Sequence, residues 1–303
     1  MAKMIASLRE NGWEMVGHGN PGGAGEATDI HITPIQVSEF SRILELAASM
    51  ANVQKDIRDN YWNNRWWPVE IEDWRLKILC AGLSTRVNYN AITTYQYVRD
   101  RLIHYGFDGL HSLSKREFTQ IVRPIGLAES RWEFWQSLRD FATKLPNSKE
   151  IPPKLQTLSN TELIEFLQKN IRGVGYKVAQ GSALYIRGYH CGIIPVDSGM
   201  KDLLGQCLGF NTSPNARGHE LMRKHVEKLA GELDYSQLLS KTNFHDILAE
   251  MKEGEINTWW VHLALIYFKR RYCNLHDASK CPLAKDPLLG CRMKFSCMRA
   301  TTK

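Results

Sequence analysis

A chain of 303 residues, 43% hydrophobic and 23% charged, has the composition of a soluble globular protein and room for one large domain or two lobes. No apolar run approaches the roughly 20 residues needed to cross a bilayer, and Met1–Glu10 lacks the apolar stretch of a secretory signal; both point to a cytoplasmic protein with no membrane partner. The net charge of +7 and pI near 9.0 favour a polyanionic partner.

Residues 1–35 read as irregular. The glycine-rich run from His18 to Gly25 follows no strand and lacks the lysine and hydroxyl of a phosphate-binding loop, so no nucleotide is assigned to it. Helical periodicity begins at Val37–Val53, where Phe40, Ile43, Leu44 and Leu46 stand at helical spacing. It continues through Asp73–Leu83, Tyr89–Tyr105, Lys115–Ile125 and Glu129–Leu145. After the connector around Pro152 and Pro153, Ser159-Asn-Thr-Glu162 is a capping box that places a helix start. Further helices are expected over Gly218–Leu233, Asn243–Met251 and Thr258–Tyr272. No alternating run predicts a sheet, and no repeat has a solenoid period, so the expected class is all-α.

The most informative segment runs from Leu167 to Gly181. One helix ends near Ile171, Arg172-Gly173-Val174-Gly175 turns, and a second helix starts near Tyr176. Glycines permit positive φ and leave no side chains in the way, so backbone amides can approach another molecule. The amides at a helix start also suit a phosphate. An ordinary helix–turn–helix corner would use similar glycines, but Lys177 sits in the first helical turn, where the dipole disfavours a cation. An amine attacks carbon only when neutral, and both a helix start and partial burial favour the neutral form. A position poor for stability is thus a good one for a nucleophile.

Twenty residues on comes Pro195-Val-Asp197. A helix from Lys177 to Arg187 rises about 15 Å, and the nine residues that follow can span about 30 Å, so the chain is able to bring Asp197 back beside Lys177. Asp197 also precedes an expected helix (Met200–Leu204) and is a natural N-cap there. The two roles are compatible. An ionised carboxylate stabilises the positive charge that develops on a sugar as its base departs, and can deprotonate an attacking amine or water.

From Lys269 onward basic residues outnumber the acids Asp277 and Asp286, and four of the seven cysteines fall there. Cys273, Cys281, Cys291 and Cys297 are spaced Cys-x7-Cys-x9-Cys-x5-Cys. In a cytoplasmic chain that pattern argues for a metal over disulfides, although a basic surface tail with no metal is an open alternative. Zinc favours closer pairs, and an iron–sulfur cluster tolerates these gaps better.

Arg172-Gly-Val-Gly-Tyr-Lys-Val-Ala179 with Pro195-Val-Asp197 resembles the helix–hairpin–helix DNA glycosylases, the group containing endonuclease III and 8-oxoguanine glycosylase. Leu79–Ala91 looks like the family's early helix and wedge loop, and Ile125-Gly-Leu-Ala-Glu-Ser-Arg131 like its Ile-Gly-Leu segment. The resemblance implies a two-lobed all-α fold that holds double-stranded DNA and a flipped damaged or modified base in a cleft, acting as a monomer. It divides the chain into an N-terminal extension (1–72), a helical lobe (73–215) with the hairpin at about 161–187, and C-terminal helices with the cysteine loop (216–303) that pack with the N-terminal segment. Lys177 becomes the Schiff-base nucleophile of a glycosylase with lyase activity, and Asp197 the essential carboxylate; the alternatives are a monofunctional, water-using glycosylase and a non-catalytic DNA-binding protein that keeps the hairpin. Gly173 and Gly175 present amides to a phosphate, with Val174 between them, and Arg172 replaces the usual hairpin proline and adds a phosphate contact. The loop that usually carries a gap-filling Gln or Asn has Gly82 and Leu83 here, which makes Leu83 the candidate wedge. Ser198-Gly199 replaces the family's Thr-His or Val-His. The four cysteines would ligate a [4Fe–4S] cluster, with zinc or no metal as alternatives; the middle gap is longer than in the family's Cys-x6-Cys-x2-Cys-x5-Cys. Trp62, Trp66, Trp67 and Trp74 lie in a segment without a family counterpart, where they either pack or stack on a base.

Overall fold

The computed structural model describes residues 30–67, 69–207, 216–273 and 281–289. Among them the secondary structure is helical, with one isolated bridge between Asn64 and Trp67 and no strand. The chain divides into two units: residues 59–195 form one, and the residues before and after that span form the other.

In the discontinuous unit, α1 (Pro34–Ser49) starts three residues earlier than the apolar period alone predicts. Pro34 occupies its first position, and Thr33 and Gln36 make a reciprocal capping box. Met50 has extended backbone and ends α1, so the single expected helix is two, followed by α2 (Ala51–Tyr61). The hub of this unit is α14 (Thr258–Tyr272), which is buried on all sides from Thr258 to Phe268. A helix apolar all round has no solvent face to offer, and α1, α10 (Ser198–Cys207) and α11 (Ala216–Gly231) pack against it. The short helices α12 (Tyr235–Lys241) and α13 (His245–Glu250) complete the element order, with a last turn α15 (Pro282–Lys285). Asp286 ties that turn to α1: it accepts from Arg42 Nη2 at 2.8 Å and from the Leu288 and Leu289 amides at 3.0 Å.

The continuous unit is built on α3 (Trp74–Leu83) and α9 (Tyr176–Arg187), each buried along most of its length. They approach closely because small residues meet: a Cβ on Gly181 would lie 3.9 Å from the Cβ of Ala81. Around them stand α4 (Ile92–Leu110, kinked at Gly106), α5 (Lys115–Val122), α6 (Ala128–Ala142), the single turn α7 (Pro153–Gln156) and α8 (Asn160–Asn170). Trp135 of α6 is fully buried, stacked on Phe118 at 6.0 Å and edge-on to Phe107 at 5.1 Å.

Candidate nucleic-acid interface

The hairpin forms at the positions expected. Ser159 caps α8: its hydroxyl accepts the Glu162 amide at 3.2 Å, and Glu162 accepts the Ser159 amide at 2.7 Å. The helix stops at Asn170 because Ile171 turns extended. Gly173 then takes φ +82°, which side chains rarely adopt. Val174 is buried beneath the turn, and the Arg172 amide donates to Ser137 Oγ at 2.7 Å. These two anchors hold the turn on α6. No side chain caps α9, whose N-cap is Gly175. A Cβ at Gly175 would meet nothing within 4 Å, so the backbone here is open to an approaching group. Arg172 and Lys177 are both exposed beside it.

That exposure departs from one expectation. Lys177 was to be partly buried as well as at a helix start; only the helix start is present. Asp197 lies in the other unit, partly buried, and caps α10: Oδ1 accepts the Met200 amide at 2.7 Å and the backbone carbonyl accepts the Lys201 amide at 2.9 Å. A side chain packs closely at Gly199. The end of the Lys269 side chain lies 2.9 Å from where a Gly199 Cβ would stand, so a larger residue would displace it.

Leu83 does not stand where a wedge must. It is 1% exposed, the last residue of a helix buried nearly throughout. Gly82 is a packing glycine, since a Cβ there would sit 2.3 Å from the Phe134 ring. The exposed side chains lie on the two neighbouring turns instead. Arg86, just after α3, has φ +57° and is exposed; Leu127, just before α6, has φ +53° and is 44% exposed. Left-handed backbone costs a non-glycine residue about 1–2 kcal/mol, and a large apolar side chain held out on such backbone is a feature that the helical periodicity of α3 could not reveal.

The tryptophans divide. Trp66 and Trp74 are core residues, and Trp62 is 44% exposed, edge-on to Tyr61. Trp67 lines a small apolar cavity of about 80 Å³ with Tyr185, Tyr189 and Lys77, and burial lowers the pKa of the Lys77 amine.

Of the four clustered cysteines, Cys273 and Cys281 are described, while Cys291 and Cys297 lie outside the described residues. Cys281 is buried in front of α15 and Cys273 follows α14; neither forms a disulfide among the described residues. Burial, with the Cys281 thiol as a further contribution, pushes the Cys273 thiol up to about 12. Among the described residues no group of three or more histidine, cysteine or carboxylate side chains is gathered as a metal site.

No helix among the described residues is long and apolar enough to cross a membrane. No protein-family model matches the chain, and no curated protein matches it in sequence.

Proposed function

We propose that the chain is a DNA-binding enzyme that grips duplex through its hairpin and removes a damaged or modified base. More narrowly, we propose a DNA glycosylase with associated lyase activity, in which Lys177 attacks the sugar carbon and Asp197 supports the charge that develops there. The observation that carries this reading is the hairpin itself: a turn anchored from below by Val174 and Ser137, open above at Gly175, leading into an uncapped helix with Lys177 in its first turn. Amides so placed grip a phosphate without reading sequence. Arg172 adds a cation to that grip. A base drawn from the stack costs a few kcal/mol, and an exposed apolar side chain such as Leu127 offsets it by filling the space left.

Cys273, Cys281, Cys291 and Cys297 would hold the [4Fe–4S] cluster. When bound, the group supplies a rigid cross-link for the basic segment after α14.

The exposure of Lys177 favours a second reading, a water-using glycosylase in which this lysine only contacts DNA, because an exposed side chain beside the turn is placed to meet a phosphate. Borohydride trapping on duplexes with an abasic site or a single altered base separates the two. A covalent adduct that vanishes in Lys177→Gln supports the amine. Base release with no adduct supports water, and neither on any duplex counts against base excision.

A further inference from the structure

The guanidinium of Arg131 is 4% exposed and uses all five of its N–H donors on backbone carbonyls. Nε donates to Gly126 O at 2.8 Å; Nη1 donates to Leu83 O at 2.7 Å and Gly82 O at 3.5 Å; Nη2 donates to Thr85 O at 3.0 Å and Ile125 O at 3.1 Å. Among the described residues no carboxylate pairs with it, and burial lowers its pKa to about 10. The charge is met by the carbonyl end of α3, where Gly82 and Leu83 are the last residues; Gly82 O also accepts the Thr85 amide at 3.2 Å.

The five oxygens belong to two turns. One follows α3 and presents Arg86; the other precedes α6 and presents Leu127. Thr85 O and Ile125 O share a single nitrogen, so the two turns meet at one atom. The same side of α6 does more. Three residues on from Arg131, Phe134 fills the notch at Gly82 and lies 3.6 Å from a Cβ built on Gly173 of the hairpin. Three further on, Ser137 holds the hairpin amide of Arg172. From Arg131 to Ser137 is about 9 Å of helix, and along it both exposed turns and the hairpin are set in register.

We propose that Arg131 is a positioning residue that locks the Arg86 and Leu127 turns at a fixed place relative to the hairpin, so that the duplex gripped at Gly173–Gly175 meets both side chains at the vacated base position. The inference rests on the base-excision reading. Its chemical content is that a fork of five donors is required. A lysine offers three donors at one point, so it replaces at most three of these five bonds and leaves the rest of the carbonyl set unmet.

The test compares Arg131→Lys with the unaltered protein for affinity to an abasic duplex and to an intact duplex of the same length. The expected result is a variant with native helicity whose affinity for intact duplex is kept, while its preference for the abasic duplex falls at least about tenfold. A folded R131K with the preference intact overturns the role of Arg131 and leaves the base-excision reading standing. No abasic preference in the unaltered protein counts against the base-excision reading itself. If R131K fails to fold, hydrogen exchange on the unaltered protein decides. Joint protection of residues 84–88 and 125–128 on abasic but not intact duplex is expected, and no change in either turn overturns the proposal.

Discussion

At Asp197 the carboxylate accepts the Met200 amide, so substitutions can separate a capping role from a chemical one. Asparagine caps as well as aspartate does, whereas alanine costs about 1 kcal/mol. Asp197→Asn is expected to keep the melting temperature within a degree or two and to abolish base release, while Asp197→Ala lowers both; unchanged release in the Asn variant removes Asp197 from the chemistry. The contrast between Leu83 and Leu127 shows what was legible at this scale. Gly173 and Gly175 could be placed from sequence because a φ requirement and two helix ends are local. Leu83 was misplaced because α3 is buried on nearly every side, and a 10-residue helix without a polar face gives no sign of which residue protrudes. Arg131 stood within a recognised segment, yet its partners include carbonyls 48 residues away, and no local pattern announces them.

Among the elements, α8 was the most legible because its start is written in four residues. Ser159→Ala is expected to cost about 1 kcal/mol, read by urea unfolding. A larger loss would mean that the hairpin geometry depends on this cap as well as on Ser137. The expected helix stopped at Val53, where the apolar period gives way to the polar run Gln54, Lys55, Asp56. Asp56 is in fact buried and takes a two-point contact from Arg271, at 2.7 and 2.9 Å. The helix α4 runs past its expected end because Gly106 at φ +66° kinks it without stopping it. In α11 the pKa of His225 falls to about 4, chiefly through burial and further through Lys228. An unfolded histidine titrates near 6.5. The unfolded chain therefore binds the extra proton between those values, and stability present above pH 6.5 is lost as pH falls toward 4. The loss amounts to about 3 kcal/mol. Urea unfolding at pH 7 and pH 4.5 should show it, and His225→Gln should show a smaller difference between the two; an equal difference would assign acid lability to other groups.

For the molecule as a whole, the helical class followed from periodicity, and the expected division of the chain, with its C-terminal helices packing with the N-terminal segment, rested on the family resemblance. The domain limits expected from family resemblance, at 72/73 and 215/216, differ from the observed limits at 58/59 and 195/196. Contacts between distant stretches set those limits, and a linear pattern does not carry them. The cysteine-rich end contributes at this scale too. Protein purified without oxygen is expected to contain iron and acid-labile sulfide in equal amounts, both lost in Cys281→Ser, along with a drop in thermal stability. Zinc in their place would change the metal and keep the four ligands.

The discontinuous unit also orders events during synthesis. The apolar face of α1 (Phe40, Ile43, Leu44, Ala47) closes on α14 and on the turn held by Asp286, and both are synthesised long after it. The intervening residues 59–195 form a compact unit around the hairpin and can settle while translation continues. The nascent chain must therefore keep α1 uncommitted for more than two hundred residues. A chaperone that binds short apolar helices would find its target there, and a rearranged gene that places α1 after α15 would remove the wait.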